Sequence, residues 1–238
     1  MKAEASEQPA LDHQKLWRNP AVIIVATLLL FVASELIGSA LLAPISHYVT
    51  NQNYQGVLFI AASLVALLGL LTSTMKIAHF NWRQVGWRWP KPQLFLLVIP
   101  AYFVYTFGSY YLTKLAETFV PHFNLDQVQN TGFSKSAPTA ELAAIFVGLV
   151  ILTPIFEEIV FRGILFRGLR QRTPFWLSAV LTSLVFAVAH GQWNVAVDVF
   201  ALSLTMCFLV ERSKSIYPTM LLHALKNGLA FVFLFVVK

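Results

Sequence analysis

Residues 142–163 read LAAIFVGLVILTPIFEEIVFRG, and the interpretation of this stretch decides what kind of chain it belongs to. A run without charge from Leu142 to Phe156 ends in two adjacent carboxylates, Glu157 and Glu158, followed by Arg162. A charge at membrane depth costs about 2.5–3.5 kcal/mol on insertion scales, so such groups face the protein interior, find partners and mark function. The polar groups open to them lie downstream, at His190, His223 and Asn227.

Outward from this stretch the chain stays apolar. Of its 238 residues, 57% are hydrophobic and 12% charged, with a mean hydropathy of +0.66. Soluble domains carry about twice that share of charge. The expected fold is all-α, a polytopic transmembrane bundle of about seven spans. It divides into a polar N-terminal tail (1–20), N-terminal transmembrane helices (21–138) and a C-terminal part (139–238) that holds the paired carboxylates. The formal charge of +6 is read as cytoplasmic-loop lysine and arginine. No compact basic tract with interleaved aromatics in a polar domain points to nucleic acid. Cys207, the single cysteine, excludes an internal disulfide and a cysteine-rich metal site, and is expected to face lipid or core. Glu4, Glu7 and Asp12 spoil the basic segment that a cleaved signal would need.

Spans are expected over roughly 21–43 (opened by Pro20, closed by Pro44), 55–75, 93–114, 139–170, 175–190, 195–211 and 216–237. Glu35 lies inside the first, either supporting a site or near the outer interface. Between the second and third lie Lys76, His79, Arg83, Arg88 and Lys91 with Trp82, Trp87 and Trp89, a cationic and aromatic mixture suited to the membrane interface. With the 162–172 and 212–214 cations this loop falls on one side, so the N-terminus and these loops are placed in the cytoplasm and the C-terminus opposite. The 115–138 loop is long enough to cap a cavity. No internal repeat suggests the inverted halves of a transporter.

Helical spacing arranges the polar groups. Glu158 and Arg162 share a face and can pair, while Glu157 points about 100° away. Phe186 and His190 share a face, as do His223 and Asn227. If the chain reverses at Thr173-Pro174, Glu157 and His190 are equally far from the turn and so level. His223, only two turns into its span, fits that depth less easily. Phe186 is expected to be a packing residue. Peptide hydrolysis needs a base for water and a stabiliser for the developing oxyanion. A glutamate near His190 can supply the first, and His223 with Asn227 the second. No serine sits in a nucleophile elbow. One glutamate and two histidines could hold zinc, although the helical His-Glu-x-x-His pattern is absent.

Three motifs in order carry a resemblance: Glu157-Glu158-x-x-Phe161-Arg162-Gly163, then Phe186-x-x-x-His190, then His223-x-x-x-Asn227. Together they resemble the CAAX-prenyl-protease-like and bacteriocin-processing intramembrane proteases, the CPBP or Abi family. The resemblance covers about 139–232, and the first three spans add nothing to it. It implies an intramembrane endopeptidase with 139–238 as its catalytic core and a catalytic cavity among the C-terminal helices, acting on peptides or membrane proteins in the lipid bilayer of a bacterial cytoplasmic membrane. It further implies Glu157 as the water-activating base, His190 as its partner, His223 and Asn227 on the oxyanion side, and Glu158, Arg162 and Phe186 in support. A glutamate-type reaction without cofactor is favoured over zinc or another divalent metal held by Glu157, His190 and His223. The alternative class is a non-enzymatic membrane protein, either a proton- or cation-coupled carrier or a bacteriocin-immunity scaffold. Nothing in the sequence sets an oligomeric state.

Overall fold

The computed structural model describes residues 19–78, 80–120, 123 and 129–237. The 1–18 part of the expected tail, His79 and most of 121–128 lie outside them. Among the described residues there is no strand, and the chain is an all-α bundle of an integral membrane protein. We number its helices α1 (Pro20–Ser46), α2 (Gln52–Ala78), α3 (Pro92–Phe119), α4 (Thr139–Arg170), α5 (Phe175–Ala189), α6 (Trp193–Ser213) and α7 (Tyr217–Val236). All but α5 are long and apolar enough to cross a bilayer. At 15 residues, α5 extends only about 22 Å at 1.5 Å per residue, short of the ~30 Å hydrocarbon core.

Local chemistry sets the ends. Asn19 caps α1 by accepting the Ala21 N–H at 2.9 Å, with Pro20 in the first turn, where a missing N–H costs nothing. Pro44, expected to close this helix, lies inside it, and the helix continues to Ser46. Proline restricts the residue before it but not those after, and the Ser46 hydroxyl donates to the Ala43 carbonyl at 2.7 Å. The α5–α6 break falls at Gly191, whose φ of +66° suits a residue without Cβ.

Burial separates centre from periphery. In the most apolar windows of α4 and α6, 50% and 56% of residues are buried, against 22%, 22% and 17% in α1, α2 and α3. The outer three therefore present their apolar sides outward, as lipid-facing helices do. Cys207 on α6 is fully buried and faces the core.

The cationic loops meet at one end of the bundle. Arg88 Nε and Arg167 Nη1 both donate to the Lys214 carbonyl, at 2.9 and 3.2 Å. Arg167 Nε also donates to the Gln84 carbonyl at 2.7 Å. The Ile216 N–H reaches the Gly86 carbonyl at 3.1 Å, and Trp89 stacks on Tyr217 with ring centroids 4.6 Å apart. Ile23 packs against Gly168, so α1 begins at this end too. Arg162 does not belong with these loop cations as its neighbours in sequence suggested. It is fully buried, because α4 runs on past it to Arg170.

The same end explains Gly163. A Cβ there would sit 2.5 Å from Val85 Cγ1 and 3.0 Å from the Val85 carbonyl oxygen. Gly163→Ala therefore overpacks the contact between α4 and the 80–91 loop and is expected to destabilise by roughly 1–3 kcal/mol. Gly69→Ala on α2, where a Cβ meets nothing within 4 Å, serves as the control and should not lower thermal stability in detergent.

Candidate active site

The site begins with a fault in the α4 backbone. Residues Val147–Leu152 and Glu158–Phe166 are wound in the wider π register, in which N–H groups reach five residues back; such stretches gather at functional sites. The Thr153 N–H follows this register to the Gly148 carbonyl. The next carbonyl, that of Leu149, would be met by residue 154, which is proline and has no N–H. Asn227 of α7 fills the vacancy, its Nδ2 donating to the Leu149 carbonyl at 2.9 Å. Pro154 thus creates the acceptor that docks α7 beside the carboxylates.

Four residues later the chain places Glu158, with none of its surface exposed. Its Oε1 accepts from Arg162 Nη1 and from His223 Nδ1, both at 2.9 Å. A carboxylate only accepts, so His223 carries its proton on Nδ1. Arg162, also fully buried, lays its guanidinium carbon 4.3 Å above the centre of the Phe186 ring, a favourable cation–π geometry.

Phe186 does more than fill space. Its ring meets Phe161, His190 and His223 edge-to-face at centroid distances of 4.9, 4.7 and 6.1 Å. Its carbonyl accepts His190 Nδ1–H at 2.9 Å, which leaves His190 Nε2 as the bare nitrogen. One buried phenylalanine therefore orients both imidazoles and supports the guanidinium.

Glu157, turned away from Glu158 on the helix, has its Oε2 3.6 Å from His223 Nε2. His223 accordingly lies between the two acids, not at the shallow depth its place in α7 suggested. Depth in α7 does not run from the Thr173-Pro174 turn, because α7 starts level with Arg167, whose guanidinium holds the Lys214 carbonyl. Glu158 lies nine residues before Arg167 and His223 nine residues after Lys214, so equal helical rise makes them level.

Glu157, His190, His223 and Asn227 line one cavity of about 200 Å³, with Thr153 on its wall. Gln129, Asn130 and Thr131 border it from the loop before α4, and the Asn130 N–H donates to Gln192 Oε1 at 3.1 Å. A second anchor of this loop is Asn53, which accepts the Ser134 N–H at 3.0 Å and donates to Glu141 at 2.6 Å. Glu35 does not line the cavity. Sequence reading passed over Lys226, which does, and Asp198, whose Oδ2 is 3.7 Å from Lys226 Nζ. Both are charges inside apolar spans, the signal that could have found them.

A protein-bound metal ion needs several donor side chains converging on one point. Among the described residues no three His, Cys, Asp or Glu side chains form a group that could hold one. His223, the imidazole nearest the glutamates, turns both ring nitrogens toward carboxylate oxygens. The residues as arranged do not fit a three-ligand centre.

Fold and site together define a membrane-embedded helical protein with a cavity lined by a carboxylate and two imidazoles. Residues 139–229 match the family described as type II CAAX prenyl endopeptidase Rce1-like. Over that segment the chain is similar to the CPBP family, as its three motifs suggested. It is 32% identical over 77 residues to "Putative membrane peptidase YdiL" of Bacillus subtilis (strain 168), covering 32% of each chain. It is 33% identical over 104 residues to "Uncharacterized 24.3 kDa protein" of Escherichia coli, covering 42% of this chain and 47% of that protein. The matches therefore span about a third to a half of these relatives' lengths. No solved structure matches the chain.

Removing one member of the buried ion pair tests how the site is held. Arg162→Met strands the Glu158 carboxylate and is expected to destabilise by about 3–5 kcal/mol. Adding Glu158→Gln should recover part of that loss in thermal unfolding, because no unpaired charge remains.

Proposed function

We propose that the chain is an intramembrane endopeptidase in which Glu157 and His190 activate a water molecule while His223 and Asn227 receive the oxyanion. The observation that carries this reading is the His223 ring. Its Nδ1 is fixed to buried Glu158 at 2.9 Å, and its Nε2 lies 3.6 Å from Glu157, on the cavity shared with His190 and Asn227.

A peptide carbonyl enters the cavity with its oxygen toward His223 Nε2 and the second N–H of Asn227 Nδ2. Water lies between the Glu157 carboxylate and the bare Nε2 of His190. Glu157 takes a proton as the water oxygen bonds to the carbonyl carbon, and the C=O π pair becomes the oxyanion. With His223 doubly protonated, its Nε2–H donates to that oxygen, and Glu158 and Arg162 hold the ring in place. Preorganised donors of this kind, in a site of low dielectric, supply a large part of the barrier reduction. The oxyanion pair then re-forms the carbonyl and the C–N bond breaks. The proton on Glu157 passes to the leaving amine, which regenerates the carboxylate. No metal enters these steps.

Substrates of the class are peptides or membrane-protein segments that reach the cavity within the bilayer. The cationic end of the bundle, where α1 begins, faces the cytoplasm by the positive-inside rule, with the C-terminus opposite. The organisms of the two relatives support a bacterial cytoplasmic membrane as the setting.

The test is cleavage of apolar peptides by the purified protein in proteoliposomes. Glu157→Gln is expected to lower kcat by about 10²–10⁴-fold with an unchanged melting temperature. Full activity in Glu157→Gln would place the base elsewhere. Chelation with 1,10-phenanthroline is expected to leave cleavage intact; loss on chelation and recovery with zinc would replace this mechanism by a metal-assisted one. A carrier would instead show ion-gradient-dependent flux that survives His223→Ala.

A further inference from the structure

The end of the bundle where the loops meet is out of charge balance. Its 76–91, 167–172 and 211–214 segments carry nine lysines and arginines against one acid, Glu211. That acid is already taken, its two oxygens lying 3.1 Å from Arg170 Nη2 and 3.2 Å from Lys214 Nζ. Arg88 and Arg167 share only the Lys214 carbonyl, which both guanidiniums approach. Their donating nitrogens are therefore within about 6 Å of each other, where like charges repel. The C-terminal end of α6 offsets part of this repulsion. Among the described residues, however, no carboxylate pairs with either arginine.

The surrounding backbone fixes the cluster in place. Lys214 ends α6 at a φ of +54°, the only positive value of a non-glycine among the described residues. A strained turn of this kind persists where its surroundings hold it. Arg88 holds it twice: its Nε meets the Lys214 carbonyl, and its own carbonyl accepts the Ser215 hydroxyl at 2.6 Å. The Nη1 and Nη2 atoms of Arg88 have no partner among the described residues, and the side chain is exposed. Next to it, Trp89 is 77% exposed and stacks on Tyr217, with Phe95 on its other side. An exposed tryptophan beside cations marks the level of the lipid headgroups.

We propose that Arg88 and Arg167 form a site for the phosphate of an anionic phospholipid, in the leaflet at the cationic end of the bundle. A guanidinium fork matches two phosphate oxygens, and the terminal nitrogens of Arg88 supply that fork. The Trp89 ring favours a lipid over a dissolved phosphate, because it gives the glycerol and acyl chains an aromatic surface beside the cations. The bound anion removes the repulsion between the two arginines. It also ties together the 80–91 loop, α4 and the α6–α7 turn, the junction that sets where α7 starts and so the level of His223. Lipid binding therefore stabilises the bundle, and it requires nothing of the reaction in the cavity.

The probes are dioleoyl-phosphatidylglycerol and dioleoyl-phosphatidylcholine, titrated into the full chain in a neutral detergent. Native mass spectrometry reads bound lipid, and thermal unfolding reads its effect. Phosphatidylglycerol is expected to bind about tenfold more tightly and to raise the melting temperature, as a ligand of the folded state does. Arg88→Gln, whose amide can still reach the Lys214 carbonyl, should bring phosphatidylglycerol down to the level of phosphatidylcholine. Arg88→Lys keeps the charge without the fork and should lose part of the preference. Arg172→Gln removes the same charge outside the cluster and should keep the preference. Equal binding of the two lipids overturns the site. So does an equal loss in Arg88→Gln and Arg172→Gln, the mark of a diffuse surface potential. Equal stabilisation by glycerol 3-phosphate at the same concentrations overturns the lipid as ligand. If Arg88→Gln does not fold, the wild-type titrations and Arg88→Lys decide between these outcomes.

Discussion

A single buried carboxylate organises the middle of this protein. Glu158 has no exposed surface, yet it accepts hydrogen bonds from Arg162 and His223 through one oxygen. An unpaired charge in such surroundings is too costly to persist. Each of the three helices that meet there is therefore committed by what it brings: α4 carries the acid and the arginine, α7 the imidazole, and α5 the phenylalanine under the guanidinium. Glu157, one residue earlier, is left to face the cavity because its neighbour has taken the structural role.

The backbone of α4 shares in this arrangement. A π-wound helix meeting a proline leaves one carbonyl with no partner in its own chain segment, and the Asn227 amide takes it. The asparagine proposed to face the oxyanion is thereby pinned by a defect in the helix that carries Glu157. Phe186 completes the geometry from the third side, its carbonyl setting the tautomer of His190 and its ring bracing His223. A packing residue in composition, it acts as the common support of two imidazoles.

Charges in the site occur in compensating sets: Glu158 with Arg162, Glu157 with His223, and Asp198 with Lys226. Their tightness differs. The first pair is at 2.9 Å and sealed, whereas the other two, at 3.6 and 3.7 Å, adjoin the cavity. Close pairs suit a structural purpose, and looser ones leave donors and acceptors open to the cavity.

Much of this was legible in the residues, for identifiable reasons. Hydropathy over 20-residue windows marks membrane helices because the bilayer imposes a length. The Glu158–Arg162 and Phe186–His190 relations follow from helical periodicity alone. What the chain could not disclose by itself was the relative height of its helices. His223 seemed too shallow until the 80–91 loop, Arg167 and Lys214 were seen to set where α7 begins. The same holds for Lys226 and Asp198, and for Asn227 and Leu149, partners on different helices. Sequence determined the helical class, the polar faces and the residue types, because these depend on neighbours within a turn or two. Tertiary structure decided which imidazole meets which acid, because that depends on contacts between segments far apart in the chain, which no local pattern records.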